Sequence, residues 1–169
     1  MRDDDEASFE AFVAARSAAL LRTAVLLTHD RGHAEDLLQA ALIKVYRHWR
    51  RVSERGDPYA YVRKALVTTA AGWRRRRSVQ EIVDLPAVEH ADERHRSDLG
   101  DRDELTRALE TLPARMRAVL VLRYWEDLSE ADTAAVLGCS VNTVKTQTSR
   151  GLNRLRSLVE NPAYADGGR

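Results

Sequence analysis

The apolar residues of this chain recur at three- and four-residue steps, the spacing that lines one face of an α-helix. Over residues 8–27 the pattern runs through Phe9, Phe12, Val13, Leu20, Ala24 and Leu27 and predicts a first amphipathic helix. Thr28-His29-Asp30-Arg31-Gly32-His33 interrupts it. A second helix is predicted over residues 34–49, with Ala34, Leu37, Leu38, Ala41, Val45 and Trp49 turned inward. Residues 50–58, RRVSERGDP, read as a turn-rich loop whose proline opens a third helix, because a first-turn residue needs no amide hydrogen. That helix, residues 59–76, packs through Val62, Ala65, Leu66, Thr69 and Trp73. Helices resume over residues 102–112 and, after Pro113-Ala114, over 115–125, where Met116, Val119, Leu120 and Tyr124 are expected to face in.

Residues 129–156 carry the sharpest pattern: a short helix, a tight turn and a longer basic helix. Ser129 caps the first helix with Asp132 three positions on, and Ala134, Ala135 and Leu137 give it a small inner side. Gly138 supplies the positive-φ residue that ends it, and Ser140 caps the next. In that second helix Val141, Val144, Leu152 and Leu155 are expected to turn inward, leaving Asn142, Thr143, Lys145, Thr146, Ser149 and Arg150 outside. Between residues 141 and 156 the charges are Lys145, Arg150, Arg154 and Arg156, with no acid among them. A helix with short hydrogen-bonding side chains at its first turns and only positive charge suits a DNA major groove.

Composition narrows the class. With 169 residues, 44% hydrophobic and 31% charged, the chain can form one ordinary domain or two small ones. No apolar run is expected to reach the roughly 20 residues that span a bilayer, and MRDDDEAS lacks a signal-peptide core, so the expectation is a cytoplasmic protein without membrane insertion. The single Cys139 excludes an intrachain disulfide and a cysteine zinc cluster. Residues 3–6, DDDE, form an acidic lead into the first helix, favoured there by the helix dipole. The tail NPAYADGGR is too short and polar to make a domain.

The net charge of +1 hides a strong segregation. Residues 58–80 hold Arg63, Lys64, Arg74, Arg75, Arg76 and Arg77 and no acid, whereas residues 81–104 hold nine acids against three arginines. Two basic surfaces flanking an acidic connector suit two contacts with one polyanion. Arg74 to Arg77 exceed what a helix C-terminus needs, and with Tyr61 and Trp73 nearby they point to phosphate contacts beside aromatic surfaces where an unstacked base can rest. The connector, residues 78–100, carries Pro86 and one apolar cluster, Ile82-Val83-Asp84-Leu85-Pro86, that has the makings of a docking segment. On the second helix Glu35, Asp36, Gln39, Ile43 and Arg47 make a polar stripe around one apolar residue, which fits a solvated surface and a helix-docking face equally well. A metal-dependent helical enzyme built on His29, Asp30, His33, Glu35 and Asp36 is disfavoured, because residues 30–32 break between helices and no second ligand cluster exists. No cofactor is expected.

Ala34-Glu35-Asp36-Leu37-Leu38-Gln39, Tyr61-Val62-Arg63-Lys64 leading to Trp73-Arg74-Arg75-Arg76, Leu112-Pro113 before Leu122-Arg123-Tyr124, and Leu137 to Val141 with Thr143-Val144-Lys145 come one after another in an order that resembles a known family. The resemblance, over residues 8–158, is to the RNA polymerase sigma factors of the extracytoplasmic-function (ECF) type, within the sigma-70 family and in its actinobacterial-like form. It implies an all-α fold of two small helical domains joined by an acidic flexible linker: region 2 over residues 8–77, linker 78–100, and region 4 with the helix-turn-helix over 101–158. The function so implied is to bind core RNA polymerase and direct promoter-specific initiation, with no catalysis of its own. Asp36 and Gln39, with Ile43, match positions that bind the β′ coiled coil. Loop 50–58 and the helix after it match the part that holds a flipped −10 base, with Arg63, Lys64, Thr68, Trp73 and Arg74 along the single strand. Asn142, Thr143, Lys145, Thr146, Gln147, Ser149 and Arg150 match the face that reads −35 duplex. The resemblance further implies the β flap and an anti-sigma factor as partners.

Three residues depart from the family pattern. Thr68 stands where Asn is common, Ala40 where an acid often follows the Gln, and Gln147 where Arg is common; Gln pairs best with adenine and Arg with guanine. The alternative is a promoter-binding regulator of the response-regulator type, which shares Thr143-Val144-Lys145. Such a regulator also needs a receiver or effector domain, and residues 8–77 read as helix throughout.

Overall fold

The computed structural model describes residues 3–83 and 103–160, and within them the side chains of residues 3–76 and 104–160. All regular structure among the described residues is helical: α1 (Asp3–Thr28), α2 (Arg31–Tyr46), α3 (Trp49–Glu54), α4 (Pro58–Val83), α5 (Asp103–Glu110), α6 (Ala114–Leu120), which runs on into a π-helical turn (Val121–Trp125), α7 (Glu130–Leu137) and α8 (Val141–Glu160). The chain divides into two compact units, residues 1–96 and 97–169. Most of the expected linker and the Asp84-Leu85-Pro86 part of its apolar cluster lie outside the described residues, as does the tail after Glu160.

In the first unit α1 and α4 both pack on α2. The core joins Leu20, Ala24, Leu26 and Leu27 to Ala34, Leu37, Leu38, Ala41 and Val45, and to Val62, Leu66, Val67 and Ala70. The periodic positions expected inside are there, except that Ala65 and Trp73 are half-buried and that Phe9, Phe12 and Val13, near the start of α1, are also half-buried. Phe9 meets Trp49 edge-to-face and Phe12 packs on it at a tilt, at centroid distances of 5.1 and 5.2 Å, and the Trp49 indole Nε1 donates to Ser8 Oγ at 3.3 Å. The acidic residues Asp3 to Glu6 form the first turn of α1 itself. The break between α1 and α2 is only two residues long. His29 takes a left-handed backbone (φ 51°), and the Asp30 side chain accepts from His33 N at 2.7 Å to cap α2.

Three further expectations need correction. The segment 50–58 is not mainly loop: residues 49–54 form α3, and Trp49, expected at the end of α2, and Val52 are buried in the core. A helix of six residues is too short to show a period, and the arginines around Val52 masked its inward turn. α4 continues to Val83, past the expected stop near Arg76, because residues 77–81 contain no proline or glycine to end it. α1 is also long and apolar enough by composition to cross a membrane, contrary to expectation. Of its leucines, Leu20, Leu26 and Leu27 are buried in the core of the first unit.

In the second unit Met116, Ala118, Val119, Leu120, Val121 and Leu122 form a continuous buried run. Val119, Ala134 and Val144 make a cluster on which Leu137 and Cys139 pack. Gly151 is buried at the contact of α6 and α8, where a Cβ would sit 2.9 Å from both Leu120 Cδ1 and Met116 Cγ. Arg117 is buried, donating from Nε to Leu109 O (2.8 Å) and from a terminal nitrogen to Leu112 O (3.0 Å) and Glu110 O (3.3 Å), so it closes the carbonyl end of α5. The π turn inserts one extra residue, with Glu126 N bonded to Val121 O, and rotates the chain beyond it. Tyr124, expected inside, is therefore 59% exposed.

Candidate nucleic-acid interface

The turn between α7 and α8 is built as its residues dictate. Ser129 Oγ accepts from Asp132 N at 3.0 Å, Gly138 ends α7 at φ 64° and ψ 39°, and Cys139 N donates back to Ala134 O at 3.1 Å. Ser140 Oγ accepts from Thr143 N at 3.1 Å and lies 2.9 Å from the Thr143 hydroxyl, capping α8. These two caps define the turn from α7 into α8.

Asn142, Lys145, Thr146, Ser149 and Arg150 are exposed on α8, while Thr143 and Gln147 are half-buried. The amphipathic division holds at its centre, where Val144 is fully buried, and fails at two expected inner positions. Val141 is exposed at the first position of α8, one turn before the buried Val144 that packs with Val119. Ala135 is exposed as well, since α7 packs through Thr133, Ala134 and Leu137, the i, i+1 and i+4 positions of one stripe. Leu152 and Leu155 are half-buried. The Lys145 ammonium is not isolated: its Nζ lies 3.8 Å from Glu130 Oε2, at the start of α7.

In the first unit a cavity of about 320 Å³ opens between α2, α3 and α4. Val45, Val52 and Ala65 supply apolar lining, Lys44, His48, Arg51 and Lys64 surround it, and Tyr61 and Thr68 complete it; no acid contributes. Lys44 Nζ donates to the buried Thr69 hydroxyl at 2.9 Å, which holds that ammonium on one wall. The Thr68 hydroxyl donates to Lys64 O (3.0 Å) and Ala65 O (3.2 Å), so its lone pairs rather than its hydrogen are available outward. Donor-rich walls around an apolar lining of this size suit one planar, hydrogen-bonding ring.

The five α4 residues expected on the single-strand path do not all meet here. Lys64 and Thr68 line the cavity; Trp73, half-buried, and Arg74 lie further along α4. Arg63 is turned to another face: its guanidinium sits 5.7 Å from the Tyr59 ring centroid, which Arg16 approaches at 5.8 Å. One residue along a helix is a rotation of about 100°, enough to separate Arg63 from Lys64. Partial desolvation lowers the Arg74 pKa below its ordinary value, and the group stays a cation at neutral pH. Lys44, His48 and Arg51 were missed in the sequence; their only shared signal is the i, i+4, i+7 spacing, which the α2–α3 break obscured. On α2, Asp36, Gln39 and Ile43 are all exposed, Ile43 at 56%, while Glu35 pairs with Arg31 at 3.2 Å.

Two family models match the chain: Sigma-70 region 2 over residues 3–79 and Sigma-70 region 4 over residues 102–155. The RNA polymerase sigma-E factor of Streptomyces avermitilis is 39% identical over 156 residues, covering 90% of this chain and 85% of the relative. The chain is a sigma factor of the sigma-70 family. Its ECF character agrees with a second relative, the ECF RNA polymerase sigma factor SigL of Mycobacterium tuberculosis, 26% identical over 149 residues, 85% of this chain and 84% of that protein. The solved sigma factor RpoE of Bartonella quintana, determined in complex with the anti-sigma factor NepR, shares the fold of this sigma factor. Its TM-score is 0.70 and its identity 26%, with 90% of this chain and 97% of that chain covered. The response-regulator alternative is not favoured, because both units match sigma regions. Sigma factors are not a family of catalysts.

Proposed function

We propose that this sigma factor binds core RNA polymerase through Asp36, Gln39 and Ile43 on α2, captures a −10 single strand with the first unit and reads −35 duplex with α8. The observation that carries the reading is the acid-free cavity between α2, α3 and α4, with its apolar lining and basic walls. Extracting a base from duplex costs a few kcal/mol. Stacking returns about 1–3 kcal/mol per base, and phosphate contacts add to it. Lys64 and Thr68 act at that cavity together with Lys44, His48 and Arg51, while Trp73 and Arg74 follow the strand along α4. Arg63, turned to another face against Tyr59, is left out of the cavity and of this strand path.

The domains are region 2 over residues 8–77, a linker over 78–100 and region 4 over 101–158. Asn142, Thr143, Lys145, Thr146, Ser149 and Arg150 form the −35 face, and Gln147 adds an amide suited to adenine. Region 2 engages the β′ coiled coil and region 4 the β flap, in the cytoplasm. The phosphodiester chemistry belongs to the polymerase. An anti-sigma factor is the further partner, by analogy with the RpoE relative solved with NepR.

In-vitro transcription with core enzyme on a genomic promoter library tests this directly. Defined start sites that depend on the added chain are expected. Failure to bind core, or to direct any start site, overturns the reading.

A further inference from the structure

Among the residues facing DNA in the proposed reading, Lys145 has an acid beside it. Its Nζ stands 3.8 Å from Glu130 Oε2, and the two side chains are 59% and 38% exposed. Such a pair adds little to fold stability, being solvated and screened. It is also too long for a hydrogen bond, so the three ammonium donors stay available while the charge is drawn toward α7. Glu130 is the first residue of α7, just after the Ser129 cap. In a helix-turn-helix the first helix crosses the DNA backbone. The N-terminal end of a helix ordinarily favours negative charge such as a phosphate.

We propose that Glu130 is a specificity-determining residue: it competes with the DNA phosphates for the Lys145 ammonium, and so suppresses binding to duplex of arbitrary sequence. This rests on α8 reading −35 duplex. The distinction is between two uses of one lysine. A phosphate contact strengthens binding to every sequence and deepens its salt dependence, whereas a base-edge contact does neither for the wrong sequence. With Glu130 present, leaving it for a phosphate costs Lys145 its nearest opposite charge. Without it, the flexible lysine stem is free to reach the backbone.

The test measures binding of the full chain to two labelled duplexes across a salt series: one of mixed unrelated sequence, and one carrying the −35 element of a promoter that the chain supports with core enzyme. Glu130→Gln is expected to tighten the unrelated duplex about three- to five-fold, the effect of removing one partly screened charge from its neighbour. It should also steepen the log–log salt slope by about 0.9, one additional phosphate. The promoter duplex gains less, so the specificity ratio falls. Glu130→Asp should keep the wild-type ratio, and Glu130→Gln in a Lys145→Ala chain should change nothing. Equal tightening on both duplexes, or the same effect without Lys145, overturns the proposal by reducing it to general charge removal; so does an unchanged ratio for Glu130→Gln. A wild-type chain with no preference between the duplexes instead removes the −35 reading, and the proposal falls with it.

Discussion

Single side chains carry two different burdens in this protein. Lys145 and Arg150 stand exposed on a helix with no acid from residue 141 to 156, so each is available to DNA. Replacing either with Ala should weaken −35 duplex binding by about 1–3 kcal/mol if a base contact is lost. Titration of a promoter duplex and of single-base variants of it checks this; unchanged affinity and base preference would remove that residue from the face. Lys64 belongs to the cavity, where three other basic groups share the wall. Lys64→Ala should therefore weaken capture of a −10 single strand by only about 1 kcal/mol, read from strand binding by the holoenzyme, and leave −35 duplex affinity unchanged. Arg117 does the opposite kind of work. It is buried and donates to carbonyls at the end of α5, and Arg117→Met would leave those acceptors unsatisfied inside the second unit. A loss of about 2–4 kcal/mol, read from denaturant unfolding, is expected, with no change in −10 strand capture by the folded fraction.

At the scale of elements, close packing of α6 on α8 depends on the missing side chain of Gly151. Gly151→Ala places a methyl group 2.9 Å from Leu120 and Met116 atoms, and overpacking of this kind costs about 1–3 kcal/mol. The opposing gain in helix propensity is at most about 1 kcal/mol. Net destabilisation is expected, read as a lower thermal midpoint of the second unit; an unchanged midpoint would mean that α8 shifts freely on α6. Nothing in a single sequence distinguishes this glycine from a tolerated one. The long helices were legible because each repeats its apolar period over several turns, as with Leu37, Leu38, Ala41 and Val45 on α2. The caps at Ser129, Gly138 and Ser140 were legible because their chemistry is local. The features that were not legible came from contacts distant in sequence or from irregular turns. α3 is too short to show a period, the π turn swung Tyr124 outward, and the cavity exists only where three helices meet.

For the whole molecule, the relevant quantity is how two modest DNA contacts combine on one promoter. In the proposed reading each unit presents only a few cations and polar groups to DNA. Linkage through one chain makes the second contact effectively intramolecular, which raises overall affinity without any new interaction. Core polymerase then has to hold the two units at promoter spacing, and the exposed stripe on α2 is the candidate handle. Ile43, 56% exposed between Gln39 and Arg47, has the form of an apolar anchor inside a polar rim. Asp36→Ala with Gln39→Ala removes two polar groups from that stripe while leaving buried Leu37, Leu38 and Ala41 in place, so the fold should survive. The double variant is expected to bind core enzyme at least about tenfold more weakly, a change of about 1.4 kcal/mol. Its affinity for −35 duplex in the absence of core should be unchanged, because α8 lies in the other unit. Transcription should recover when core is supplied in excess, since the lesion is one of assembly. Wild-type affinity for core would reject the stripe as the docking face, and weakened duplex binding without core would show that the substitutions act through the fold rather than through the partner.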